Sequence, residues 1–337
     1  MLLVDGLRGL AAMAIVLPHA WVLFAVPIRT RGWTNTLVFA GRIYATLAVQ
    51  VFFVLSGFVI AYTLRDVRVT PKIFGRFLLR RSIRLDPPYL VSVTISLAVM
   101  VLLGGWHSLP ATRVVLAHLF YLQDIFGFGE PINHIFWTLC IEIQMYIFFC
   151  GMIGLLQAMR LNYRFALTAA LIFCLGWPLG LFPSPFLRFF PASEYCFLAG
   201  AVAWWSIERA IPRWLLLLVS GAFVVAGAWH FDCDIWVAFC TAMLLGSAGK
   251  LGTINTWLRA KPWQFLGAIS YGIYLMHQPV CDIAERVQKR HGLNSTLDGI
   301  ALLLVVYAAS IGLAYALRIT VEIPSIRLSH RFSVRVR

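Results

Sequence analysis

Residues 298–317 read DGIALLLVVYAASIGLAYAL. From Gly299 to Leu317 no side chain carries a formal charge, and the run is long enough to cross about 30 Å of hydrocarbon as a helix. Similar apolar stretches recur along the 337-residue chain, which is 61% hydrophobic and 12% charged, against roughly 25% charged residues in ordinary soluble domains. So much apolar surface requires lipid as part of the solvent. Spans are expected near 7–26, 44–64, 89–104, 134–156, 165–182, 189–206, 214–230, 234–248, 262–283 and 298–317. The expected fold is an all-α polytopic transmembrane bundle of about ten helices, forming one domain over 1–337, with function among the helices. The amphipathic stretch from Arg113 to Ile125 reads as an interfacial or re-entrant helix.

Charge distribution gives an orientation. With the N-terminus inside and ten alternating spans, of the 28 Lys and Arg only Arg29, Arg31, Arg42, Arg113, Arg188, Arg286, Lys289 and Arg290 fall outside. This matches the positive-inside rule and makes both termini cytoplasmic. The formal charge of +14 then reflects anionic inner-leaflet lipid, with no nucleic acid needed. The first span reads as a retained signal-anchor. The seven cysteines show no CxxC spacing, so no disulfide or metal site is expected.

Ionisable residues within the spans point to function, because burying them in hydrocarbon is costly. His19, Glu142 and His277 count to similar depths on three helices, roughly 18–22 Å above the inner ends at about 1.5 Å per residue. Glu194 lies near an outer helix end, where water can solvate it. A histidine with a carboxylate partner can take a proton from a hydroxyl, the carboxylate orienting the ring and stabilising the imidazolium. His19 and Glu142 are therefore the catalytic candidates, expected as a pair, with His277 a further candidate. A core histidine bonded to a backbone carbonyl is the alternative for His19, and a helix-bonding role that for Glu142.

A cationic constellation lies between the second and third spans. Thr70-Pro71 reads as an N-cap and first helical turn, and Lys72, Arg76, Arg80 and Arg84 follow at a spacing of four. Pro87-Pro88 is expected to end this surface helix. The stripe suits either an anionic-lipid anchor or a clamp for a polyanionic cytosolic ligand, to which Arg8 adds charge.

VDGLRGLAAMAIVLPHA at 4–20 places ten residues between Arg8 and His19 and resembles the R-x10-H signature of acyltransferase family 3 membrane proteins. The resemblance continues through FFVLSGFVI at 52–60, RFLLRRSIRLDPPY at 76–89, HIFWTLCIEIQMY at 134–146, ISYGIYLMHQPV at 269–280 and VEIP at 321–324. Cys140, Ile143 and Met145 depart from the family's Ser, Glu and Phe. The resemblance implies a multi-pass O-acyltransferase of the cytoplasmic membrane. It would move an acyl, commonly acetyl, group from cytosolic acyl-CoA to a hydroxyl of a cell-surface or envelope glycan or glycolipid, with no permanently bound cofactor. Arg8 and His19 would handle acyl-CoA and abstract the proton. Arg76, Arg80, Arg81 and Arg84 become donor-binding candidates, and Ser56, Trp137, Tyr146, Tyr271 and His277 pocket candidates. The alternative is a secondary transporter or glycolipid flippase, which also carries ionisable residues at mid-membrane. Related halves would favour it, and no convincing internal repeat is found.

Overall fold

The computed structural model describes residues 1–20, 23, 34–128, 132–183, 190–230 and 233–332. Among them the chain is helical, with no strand. The helices are α1 (Leu2–Ala20), α2 (Thr34–Leu64), α3 (Pro71–Gly104), α4 (Thr112–Leu119), α5 (Phe136–Ala158) and α6 (Tyr163–Cys174). They continue with α7 (Pro191–Ile207), α8 (Arg213–His230), α9 (Cys233–Lys250), α10 (Lys261–His291), α11 (Thr296–Leu317) and α12 (Ile323–Ser329), the last joined to α11 by a π-turn at Arg318–Glu322. Each expected span overlaps one of these helices. Five segments, Leu2–Ala20, Leu47–Leu64, Pro71–Gly104, Phe136–Ala158 and Thr296–Phe332, are long and apolar enough to cross a membrane on length and composition. Residues 21, 22 and 24–26 of the first expected span and residue 189 of the sixth lie outside the described residues.

Two helix pairs approach closely because glycine removes the side chain at the crossing. A Cβ at Gly57 on α2 would run into the Phe197 carbonyl on α7, and one at Gly200 into the Val54 carbonyl. Gly9 on α1 and Gly267 on α10 likewise face each other's backbones. Close approach between small residues substitutes for the hydrophobic driving force that lipid-facing helices lack. It brings α1, α2, α7 and α10 together around a core that includes Phe58, Phe197, Ile269 and Ile273.

Two expectations are corrected. Thr70 does cap α3, accepting from the Ile73 amide at 3.4 Å, but Pro87-Pro88 does not end the helix. One helix runs from Pro71 to Gly104, so the basic segment and the third span are a single element. Each proline removes one i→i−4 donor, and packing against a neighbouring helix holds such a segment in place. Here the Tyr271 hydroxyl of α10 donates to the Leu85 carbonyl at 2.9 Å, and Ser92 donates to Leu275 at 2.8 Å. Glu194, expected to meet water, is instead 1% exposed. The amphipathic stretch after Arg113 is short α4 followed by turns, with His118 buried and the Tyr89 hydroxyl bonded to its carbonyl.

Candidate active site

Seven of the candidates, Arg8, Ser56, Arg81, Arg84, Glu142, Tyr146 and Tyr271, line one cavity of about 90 Å³ between α1, α2, α3, α5, α10 and the π-turn. Its position follows from the parallel packing of α1 on α10 and from α3's continuation past its prolines, which carries basic side chains into the bundle. Arg8 of α1 and Arg81 and Arg84 of α3 line it with Glu142 and Tyr146 of α5. Ser56 of α2 and Ser270 and Tyr271 of α10 supply hydroxyls, and Glu322 of the π-turn adds a second carboxylate.

Glu142 organises the middle of this cavity. Ser56 donates to its Oε1 at 2.6 Å, and the Tyr146 hydroxyl, one helical turn further on, bonds the same oxygen. The Arg81 guanidinium lies 4.7 Å from the centre of the Tyr146 ring and 5.8 Å from that of Phe77. A cation over an aromatic face gains from the ring quadrupole, and this contact fixes where Arg81 sits. Glu322 is 6% exposed, lies 3.7 Å from Arg318 and interacts electrostatically with Arg84 and Arg8. Three guanidinium groups thus face two carboxylates, leaving net positive charge for an anionic ligand.

The lining changes character along the cavity. Toward the other end it consists of Val49, Phe52, Leu139, Thr138 and Tyr274. Tyr274 is held by a 2.8 Å bond from its hydroxyl to the Ile135 carbonyl and by a contact with the Thr138 hydroxyl. Phe52 meets the Tyr274 ring edge-on, with centroids 5.8 Å apart. Thr138, Tyr274, Phe52, Ser270 and Glu322 were not singled out from sequence as site residues. Tyr274 and Glu322 do lie within the quoted 269–280 and 321–324 motifs, and Thr138 within the block that supplied Glu142.

Beyond Tyr274 is a histidine pair. The Tyr274 and His277 rings lie 6.0 Å apart, and His277 meets His19 edge-on at 5.0 Å. His277 is fully buried, with Nδ1 3.1 Å from the Ile273 carbonyl. A carbonyl only accepts, so neutral His277 carries its proton on Nδ1 and keeps a lone pair on Nε2, which has no hydrogen-bond partner among the described residues. Gln278 and His134 lie beside His19.

This arrangement revises the expected site. Glu142 bonds Ser56 and Tyr146 while His19 packs on His277, and no Glu142–His19 bond is found among the described residues. The depth count assumed level inner ends. Glu142 instead shares its cavity with Arg8, eleven residues and roughly 16 Å before His19 on the same helix. Of the arginines of α3, Arg81 and Arg84 enter the cavity; Arg76 is exposed and Arg80, half-buried, does not line it. Trp137 packs against the core outside the cavity lining.

Apolar helices enclosing a charged, hydroxyl-lined cavity define a multi-pass membrane protein with a buried polar site. A family profile described as an acyltransferase domain matches residues 2–319, and the chain belongs to that family, acyltransferase family 3. It is an acyltransferase. The chain is 27% identical to the acyltransferase MdmB of Streptomyces mycarofaciens, over 97% of this chain and 92% of that one. It is 26% identical to BcsY of Komagataeibacter xylinus, whose name proposes a membrane-bound transacylase, over 90% of this chain and 78% of the relative. YrhL of Bacillus subtilis (strain 168), whose name proposes a peptidoglycan O-acetyltransferase, is 25% identical over 85% of this chain and 49% of its own length. No solved structure matches the chain.

Proposed function

We propose that this acyltransferase moves an acetyl group from cytosolic acetyl-CoA to a hydroxyl of a cell-envelope glycan or glycolipid. In this reading it crosses the cytoplasmic membrane ten times with both termini inside, consistent with the distribution of Lys and Arg. The observation that carries the donor assignment is the convergence of Arg8, Arg81 and Arg84 on a cavity that also holds Ser56 and three tyrosines. Arginine forks suit phosphate oxygens, and the hydroxyls suit the amides of a pantetheine arm. Arg8 lies at the end of α1 that this topology places on the cytosolic side.

His19, roughly 16 Å further along α1, is the proposed base. That separation suits an extended arm carrying the thioester from the arginines toward the imidazole. The acceptor hydroxyl attacks the thioester carbonyl while His19 takes its proton; the C–S bond breaks as the C–O bond forms. The proton then passes to the departing thiolate, giving CoA and the O-acetyl product. His277 is the proposed orienting partner of His19.

The test is mass spectrometry of surface glycans from a deletion strain complemented with wild-type or His19→Ala protein, grown on labelled acetate. Label that returns only with the wild-type protein supports the reading. An unchanged glycan acetylation pattern in the deletion strain contradicts the assigned acceptor class.

A further inference from the structure

The cavity has two chemically different ends, and the Phe52 and Tyr274 rings stand at the end nearer the histidine pair. Along α2 the lining passes from Ser56 to Phe53, Phe52 and Val49, and along α5 from Tyr146 and Glu142 to Leu139 and Thr138, so the charged groups give way to apolar side chains and to hydroxyls bonded within the bundle. On α5 that change spans roughly 12 Å. At the apolar end the Phe52 and Tyr274 rings meet edge-on at 5.8 Å, and the Tyr274 hydroxyl is held at Ile135 and Thr138. Tyr274 in turn reaches His277, which meets His19.

We infer that the Phe52–Tyr274 wall sets the acyl-chain length this enzyme accepts, with Phe52 as the principal specificity determinant. The inference rests on the donor reading above. A thioester whose CoA moiety is anchored at Arg8, Arg81 and Arg84 directs its acyl end toward Phe52 and Tyr274. For an acetyl group the carbonyl carbon is one bond from the chain end, so it comes to rest against these rings, at the end of the cavity nearest the histidine pair. Each added methylene needs room the rings occupy, and meeting the wall earlier pushes the carbonyl back toward the arginines, away from His19. Tyr274 is bonded at its hydroxyl and resists displacement. Phe52 is held by packing alone, so its ring is the side whose removal opens the end.

The experiment is a competition. Purified full-length protein in liposomes is given equal concentrations of acetyl-CoA and hexanoyl-CoA with a glycan extract, and the ratio of the two products is measured by mass spectrometry. A ratio within one sample does not depend on how much protein folded. Wild-type protein is expected to favour acetyl by at least about tenfold, the size of discrimination a packed apolar pocket gives. Phe52→Ala is expected to shift the ratio toward hexanoyl by about tenfold or more. Val49→Ala, a smaller excision at the same end, is expected to shift it the same way by less, and it decides the question if Phe52→Ala yields no folded protein. Ratios within about twofold of wild type in both variants overturn the inference, as does wild-type protein that uses hexanoyl-CoA as readily as acetyl-CoA. Wild-type protein that transfers neither group overturns the donor reading itself, and the chain-length wall with it.

Discussion

Ser56 on α2 donates a 2.6 Å hydrogen bond to the carboxylate of Glu142 on α5, tying together two helices far apart in sequence at the centre of the cavity. Tyr146 bonds the same oxygen, so one carboxylate atom serves two hydroxyls. Inside a helix bundle such a bond holds geometry, because a carboxylate left without its donors carries a desolvation cost. A double-mutant cycle of Ser56→Ala and Glu142→Gln on thermal stability in detergent is expected to give a coupling of about 1–3 kcal/mol. Additive losses would mean that the bond does not form in the folded protein.

The arginines of α3 separate by helical phase. Arg84→Gln and Arg81→Gln are expected to raise the apparent KM for acetyl-CoA more than they lower kcat, as for a lost ground-state contact. Arg76→Gln, on the exposed side, is expected to leave donor KM unchanged. Titrating the donor in liposomes with and without anionic lipid checks this, since a lipid anchor would make all three variants respond alike to lipid charge.

The separation of Glu142 from His19 carries a kinetic consequence. Sites without shared partners combine additively, within about 0.5 kcal/mol, whereas residues acting as a unit do not. Glu142→Gln and His277→Ala, measured singly and together, are expected to multiply their effects on kcat/KM. His277→Ala combined with His19→Ala is expected to be scarcely worse than His19→Ala alone. Multiplicative loss in the histidine pair would show that the two rings act independently.

Helix packing makes a contrasting prediction at two glycines. Gly57→Val places a side chain against the Phe197 backbone and is expected to abolish the thermal transition of the folded protein or lower it steeply. Gly75 on α3 has open space around it, so Gly75→Ala is expected to stabilise by about 0.5–1 kcal/mol, the ordinary helix preference. Thermal unfolding in detergent, followed by circular dichroism, reads both.

The residues that line the cavity were legible in sequence where an ionisable or hydroxyl group interrupted an apolar run: Arg8, Ser56, Glu142, Tyr146 and Tyr271 all reach it. Their partnerships were less legible. On a helix of 3.6 residues per turn Arg80, Arg84 and Arg81 point about 40°, 80° and 140° around from Arg76, so the direction midway between Arg84 and Arg81 lies furthest from Arg76 and passes Arg80 by. Counting residues from helix ends placed Glu142 level with His19, yet the cavity groups Glu142 with Arg8, because helix ends in a bundle are staggered. Pro87-Pro88 reads locally as a break, and only the bonds from Tyr271 and Ser92 show what holds α3 together. Tyr274 and Phe52 pass for core residues in sequence, since an aromatic in an apolar helix is ordinary until its neighbours are known.

The most direct test is CoA-thiol release from acetyl-CoA by purified protein in liposomes supplied with glycan acceptor, comparing wild type, Arg84→Gln and His19→Ala at equal folded amounts. The account predicts acceptor-dependent release by wild type, a raised donor KM with kcat largely kept in Arg84→Gln, and kcat reduced by roughly 10²–10⁴-fold in His19→Ala, the usual contribution of a general base. Undiminished turnover by His19→Ala, or an unchanged donor KM in Arg84→Gln, would contradict it.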